Sequence, residues 1–228
     1  IHAYISPPIE ESEVITEIQS YLHDKYQQEF IVPEIKYIPA TKEYTMIAYP
    51  IEEPNLTFNV SKYSYSREIE ENYLSEKWSK EAEVIYDTAI NQLFPDNFRF
   101  RINVRIKDNQ TELIPHDIQY QDLRESNAKE LRHTIFIHTI QNSDTFNKSI
   151  ESERIYKFIK HLKENNIYSA SLDIHYYKTS LKQLLPKEGK IDPYNKKIDD
   201  YRLKVFSMST MDYKTVKEPK DIENIFNF

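Results

Sequence analysis

Three side chains that can take part in acid–base chemistry alternate along one stretch of the sequence, namely Asp173, His175 and Tyr177. Residues i and i+2 of a β-strand point to the same face, so a strand at this position places all three in one row. A carboxylate that orients an imidazole forms a general base, and the row therefore indicates a hydrolase with these catalytic residues. The simpler interpretation, which we favour, is a polar row on the solvated face of a sheet.

Two further histidines, His133 and His138, lie five positions apart in one apolar stretch. An odd spacing on a strand sends the two side chains to opposite faces, so they cannot bind one metal ion together. We expect each to be a hydrogen-bonded residue in or beside the core. The sequence also has no cysteine and no H-E-x-x-H motif, and it predicts no metal site.

The clearest predicted strand, Phe98 to Lys107, carries a set of cations. Apolar and polar residues alternate along it without a break. We expect the apolar residues to be buried, namely Phe98, Phe100, Ile102, Val104 and Ile106. The opposite face then presents cations that can bind an anionic ligand or nucleic acid, namely Arg99, Arg101, Arg105 and Lys107. Ion pairs across the sheet, with Asp173 for example, explain the same charges without a ligand.

The segment between the last two predicted strands, Thr179 to Asp200, is long and rich in lysine and proline. Connections of this length in compact domains are usually functional or disordered. We predict that the segment is mobile and that it borders any binding site, with Lys187 and Lys190 as binding residues.

The scarcity of glycine excludes several enzyme classes. Gly189 is the only glycine in the chain. P-loops, dinucleotide-binding fingerprints and nucleophile elbows need glycine at defined positions, where the backbone turns tightly or approaches a phosphate. The absence of cysteine likewise removes thiol catalysis and disulfides. No cofactor is implied.

The composition predicts a folded protein with an acidic surface. Of 228 residues 39% are hydrophobic, including 18 tyrosines and 11 phenylalanines, which is enough apolar surface for a core. The net charge of -7 opposes the approach of phosphate backbones and anionic membranes, and so argues against a nucleic-acid partner. No stretch reaches the roughly 18 apolar residues of a membrane-spanning helix.

Periodicity predicts an α+β fold. A helix at Ile9 to Tyr26 precedes three strands and a long helix, which together form an α-β-β-β-α half. The strands and second helix are predicted at Phe30 to Ile38, Tyr44 to Tyr49, Leu56 to Tyr63 and Ile69 to Leu93. The strand at residues 98–107 then opens a β-α-β-α-β-β half, and we expect largely antiparallel sheets with helices on one face.

The predicted seam between the two halves is Pro95-Asp96-Asn97. Proline and asparagine favour turns, and the seam separates the long helix from the basic strand. We therefore expect an N-terminal subdomain at residues 1–95 and a C-terminal one at 96–228. One continuous domain over residues 1–228 is the alternative.

One segment resembles known proteins. The pattern Tyr21-Leu22-x-x-Lys25-Tyr26-x-x-x-Phe30, followed by the Ile35 to Ala48 hairpin with Pro39-x-Thr41, resembles N-terminal segments of uncharacterised lipoproteins and membrane-anchored proteins of Bacillus-like bacteria. The resemblance covers about a quarter of the chain and carries no assigned activity. It implies an extracytoplasmic domain, joined to the membrane only through an anchor upstream of Ile1; a cytoplasmic location is the alternative.

Taken together, these features predict a non-catalytic binding or assembly module of the bacterial cell envelope. Its partner would be a protein or a cell-wall ligand. The alternatives are the hydrolase based on Asp173, His175 and Tyr177, and anion or nucleic-acid binding by the basic strand. The sequence does not identify the ligand or the oligomeric state.

Overall fold

The computed structural model describes residues 7–107, 111, 114–185 and 196–226. It confirms an α+β protein with two largely antiparallel sheets. The chain divides into two compact units, Ile1–Trp78 with Thr111–Ile118, and Ser79–Gln110 with Gln119–Phe228. The division falls between Trp78 and Ser79, within the long helix, whereas the sequence placed a seam at residue 95. Whether the units fold as separate domains stays a prediction.

The first unit is built on a sheet whose central strand is β3. Its elements are α1 (Glu11–Tyr26), β1 (Phe30–Ile31), β2 (Ile35–Ile38), β3 (Glu43–Pro50), β4 (Phe58–Tyr63), β5 (Ile69–Glu71) and the start of α2 (Tyr73–Leu93). Strands β1 and β2 both pair antiparallel with β3, β4 pairs with β3, and β5 pairs with β4. The meander predicted from the sequence is therefore present, with β5 added at one edge.

Two predicted boundaries in this unit are wrong. The strand predicted at Phe30 to Ile38 is two short strands, separated at Pro33, which has no N–H to donate to a ladder. The helix predicted from Ile69 begins only at Tyr73, because residues 69–71 pair with β4. Glu71 fixes this transition, since its carboxylate accepts the N–H of Tyr73 at 2.6 Å.

Aromatic rings form the centre of the first core. Phe30, Phe58 and Tyr73 contact one another with ring centroids 5.1 to 5.5 Å apart. One stripe of α1 is also fully buried, namely Val14, Ile18 and Leu22. Edge-to-face contacts of this kind add about 0.5–1.5 kcal/mol per pair beyond the burial of apolar area.

The second unit contains a four-stranded sheet in the order β6-β7-β8-β9. After the rest of α2 its elements are β6 (Asn97–Ile106), α3 (Tyr120–Asn127), β7 (Leu131–Gln141), α4 (Lys148–Glu164), β8 (Ala170–Lys178), α5 (Lys196–Asp199), β9 (Arg202–Met208), α6 (Thr210–Thr215) and α7 (Pro219–Ile225). Strands β7 and β8 are parallel and joined through α4, whereas the outer pairs are antiparallel. The sequence did not predict α6 and α7.

One face of this sheet belongs to the core. Ile102, Val104 and Ile106 of β6 are buried as predicted. Phe98 and Phe100 are only half-buried, and Phe98 is on the wrong side for the predicted pattern. A register shift between Asn97 and Arg99 breaks the alternation, and the ring of Phe98 instead contacts His138 and Tyr177.

Helix α2 hydrogen-bonds the outer edge of β6. The N–H of Val104 donates to Ser79 Oγ at 2.9 Å, and the N–H of Ile102 donates to Glu83 Oε1 at 3.2 Å. Ser79 and Glu83 are four residues apart and so lie on one side of the helix. Backbone groups of an edge strand are thereby bonded within the fold.

We predict that Ser79→Ala lowers the free energy of unfolding by about 0.5–1.5 kcal/mol, because it removes the buried hydrogen bond from the N–H of Val104 to Ser79 Oγ. Urea denaturation followed by the fluorescence of Trp78, the only tryptophan, measures the change. Ser20→Ala on the exposed side of α1 is the matched control and should change the value by less than about 0.5 kcal/mol. Equal stability of the two variants would show that the edge contact contributes nothing.

Candidate functional site

The second face of the β6–β9 sheet carries most of the candidate residues, and we call it the open face. Arg101, Phe136, Asp173 and Ser207 are in register across the four strands and form one row. Residues directly opposite one another in a sheet point to the same side, so the row lies on one face. Phe136 and Asp173 are on central strands but only half-buried, which shows that solvent reaches the middle of this face.

At one end of the open face, rings pack closely together. The neighbouring row contains Arg99, His138 and His175 in register. The rings of His138 and His175 are 4.8 Å apart, and His138 Nδ1 lies 3.1 Å from the hydroxyl of Tyr177. Tyr177 also packs with the buried Leu181 and Ile198, so both ends of the segment at residues 179–200 are fixed to the sheet. The middle of that segment, 186–195, lies outside the described residues, and its predicted mobility stays a prediction.

The histidines at this end are held neutral. Burial, together with the smaller effects of the neighbouring His175, Arg99 and Arg202, lowers the pKa of His138 to about 3. Burial also lowers the pKa of His175, against the opposing effect of Asp173. Burial raises the pKa of Tyr177, although a hydrogen bond from Arg202 counteracts it. The neutral imidazole of His138 and the neutral Tyr177 hydroxyl are thus joined by a hydrogen bond at His138 Nδ1.

The structure does not assemble a carboxylate–imidazole pair from the predicted catalytic row. Asp173, His175 and Tyr177 do lie on one strand, at alternate positions of β8. The hydroxyl of Tyr177, however, bonds His138. Nδ1 of His175 is buried, and no described residue hydrogen-bonds it. The general base built on Asp173, His175 and Tyr177 therefore stays a prediction.

His133 has a separate, structural role. It points to the core face, opposite to His138 as predicted, and its Nε2 lies 2.8 Å from the hydroxyl of Tyr120. Burial lowers its pKa to about 4. Among the residues that the structure describes, no group of three or more His, Cys, Asp or Glu side chains is placed to hold a metal ion.

The other end of the open face is basic. Arg105 of β6 stands directly opposite Arg132 of β7, and both are exposed. Within residues 7–107, 111, 114–185 and 196–226, neither arginine forms an ion pair. The adjoining row contains Asn103, Thr134 and Ser171. We call these five residues the arginine patch.

The predicted binding residues are distributed over the open face and beyond it. Arg99 lies in the row of the histidines, and Arg101 is 3.8 Å from Glu83. Lys107 donates to the backbone carbonyl of Lys129 and lies 4.0 Å from Glu130, so its charge is shared with an acid. Only Arg105 belongs to the arginine patch. Lys187 and Lys190 lie outside the described residues.

Arg132 was missed by the sequence analysis. It is the one cation within the apolar run of β7, and alternation along Leu131-Arg132-His133 predicts that it faces away from the core. The sequence contains no signal for its pairing with Arg105, because the register between two strands is a long-range property.

Comparison with known proteins shows similarity of fold. No protein-family model matches the sequence, and no curated protein matches it. The fold is similar to the crystal structure of a DUF5037 family protein from Ruminococcus gnavus, with a TM-score of 0.53 and 15% identity over 93% of this chain and 98% of that chain. At this level of identity the similarity shows the fold alone. No helix in the described part of the chain is long and apolar enough to cross a membrane.

We predict that His138 makes the protein sensitive to acid. Its pKa is about 3 in the folded state and about 6.5 when unfolded, so the unfolded chain binds an extra proton between these values. Stability is therefore lost as the pH falls below about 6.5. His138→Gln should reduce the slope of unfolding free energy against pH by up to about 1.4 kcal/mol per pH unit. Urea titrations between about pH 4.5 and 7 test this, and an unchanged slope would contradict it.

Proposed function

We propose that the protein is a non-catalytic binding or assembly module that captures an anionic ligand at the arginine patch. The observation that carries the proposal is the placement of Arg105 directly opposite Arg132 on an exposed surface.

The two arginines repel each other in the absence of a ligand. Like charges directly opposite on neighbouring strands destabilise a sheet, by an amount comparable to the 0.2–1 kcal/mol that cross-strand pairs contribute. No described acid neutralises this pair. An anion bound between the guanidinium groups removes the repulsion and gains charge-assisted hydrogen bonds, so the site favours the occupied state.

The adjoining row supplies neutral hydrogen-bonding groups. Asn103 Oδ1 accepts the Nε–H of Arg101 at 3.0 Å, so the amide NH₂ of Asn103 is directed away from Arg101 and can donate elsewhere. The hydroxyls of Thr134 and Ser171 are half-buried on the same face. Two guanidinium groups, an amide and two hydroxyls form a donor set that suits the oxygens of a phosphate group.

The net negative charge of the chain does not prevent an anion from binding at the arginine patch. The net charge of -7 is summed over all 228 residues, whereas the arginine patch itself carries two cations and no acid. At an ionic strength of 0.1 M, exposed charges are largely screened beyond about 10 Å. A ligand at the patch therefore interacts mainly with the groups that it touches.

The hydrolase alternative has less support than binding. The imidazole of His138 is buried, and the Nδ1 of His175 has no described partner. A general base needs an accessible nitrogen with a pKa near the working pH. Burial lowers the pKa of both imidazoles instead.

The envelope location is part of the proposal and rests on the resemblance of the segment at residues 21–48 to lipoproteins and membrane-anchored proteins. A surface-anchored module that captures anionic ligands is consistent with that resemblance. Fractionation of cells that produce the full-length protein tests it, and recovery of the protein only with the cytoplasmic contents would contradict it.

We predict that Arg132→Gln raises the free energy of unfolding by about 0.2–1 kcal/mol in ligand-free buffer, since it removes the repulsion with Arg105. Urea denaturation at low salt measures the gain, which should shrink at high salt because exposed charges are screened. The matched control is Arg67→Gln, at an exposed position of the first unit, where no gain is expected. A loss of stability in Arg132→Gln would contradict the repulsion.

We also predict that the same substitution weakens anion binding. Loss of a hydrogen bond to a charged group costs about 1.5–3 kcal/mol, which corresponds to an affinity roughly 10- to 150-fold lower. Isothermal titration calorimetry with inorganic pyrophosphate compares the wild type with Arg105→Gln, Arg132→Gln and the control Arg67→Gln. Equal affinity in all four proteins would rule out the arginine patch as the site.

A further inference from the structure

An aromatic ring lies in the middle of the open face, next to the arginine patch. Phe136 is on the central strand β7, in register with Arg101 on one side and Asp173 on the other. It is half-buried, although the buried residues of β7 on the opposite face already supply the core. A phenylalanine flanked by an arginine and an aspartate on a wet surface offers a flat apolar face to a ligand.

A second ring follows one row further along. His175 is on β8, the strand beside Phe136, and it is half-buried, with its ring tilted against that of His138 at a centroid distance of 4.8 Å. Rows on one face of a strand are about 7 Å apart, so Phe136 and His175 provide two ring surfaces on neighbouring strands. The sequence order along β7 is Arg132, Thr134, Phe136, which places cation, hydroxyl and ring in successive rows of the open face.

We propose that the anionic ligand is a single-stranded nucleic acid. Its phosphates bind the arginine patch, and its bases stack on Phe136 and His175. This inference rests on the proposed function, because it names the ligand of the same site. Sheet faces that combine cations with aromatic rings bind single strands in this way, since every base has a face that can stack.

The arrangement of side chains on the open face favours a nucleic-acid ligand, whereas the net charge of the chain argued against one. The net charge of -7 is a sum over the whole chain, so it does not describe the local charge of the open face. On the open face, strand pairing instead places Arg105 and Arg132 together at one end and the ring of Phe136 in the middle. Loss of one phosphate-contacting arginine should reduce the salt dependence of binding by about one unit in the slope of log K against log salt.

The first test uses the wild-type protein. Fluorescence anisotropy measures its binding to a labelled oligo(dT) of about eight nucleotides, in competition with an abasic oligonucleotide of the same length and with inorganic polyphosphate. Base stacking predicts that oligo(dT) competes at least about 5-fold better than either base-free polymer. Equal competition by the base-free polymers would overturn the inference and leave phosphate binding at the arginine patch intact.

The second test uses variants. Phe136→Leu keeps an apolar side chain but removes the ring, and it should weaken oligo(dT) binding by about 5- to 150-fold while leaving pyrophosphate binding unchanged. Arg132→Gln should weaken both. Tyr65→Leu removes a tyrosine that is 72% exposed in the first unit and serves as the matched control. Unchanged oligo(dT) binding in Phe136→Leu overturns the inference, whereas the absence of any phosphate binding by the wild type overturns the proposed function as well.

Discussion

The register of β7 determines which side chains lie together on the open face of the second unit. This strand pairs antiparallel with β6 and parallel with β8, each over about nine residues. The same register that brings Arg132 opposite Arg105 also brings His138 beside His175 and places Phe136 between Arg101 and Asp173. A shift of one residue would exchange the two faces of β7 and bury the arginine, so the hydrophobic core fixes the chemistry of the open face.

The polar residues at the two ends of the open face differ in charge and in burial. At the histidine end, the neutral His138 hydrogen-bonds Tyr177, which itself packs with Leu181 and Ile198, and no charge has to be compensated near neutral pH. At the arginine end, charges of one sign meet in solvent without a described counterion. Functional sites often retain such unfavourable arrangements, because a ligand that compensates them is bound more tightly.

Local patterns in the sequence predicted much of the fold, and long-range pairing accounts for most of what they missed. The alternation in β6 assigned Arg101 and Arg105 to the face opposite Ile102 and Val104, and the structure has them there. The same alternation predicted the wrong face for Phe98, because a bulge between Asn97 and Arg99 interrupts the strand. Helix α6 carried a local signal that was overlooked, since Ser209 and Asp212 form a capping box. The neighbours of Phe136 and of Arg132, by contrast, lie on other strands, and no local pattern specifies them.

The bonds from Ser79 and Glu83 to β6 also limit how this sheet can grow. Because the N–H groups of Ile102 and Val104 already bond side chains of α2, a strand from another copy cannot use them to pair with β6. Head-to-tail growth of this sheet from copy to copy would need both of its outer strands, β6 and β9, to accept a further strand. A helix whose Ser79 and Glu83 side chains accept hydrogen bonds from the β6 edge thus protects the protein against open-ended aggregation through that edge.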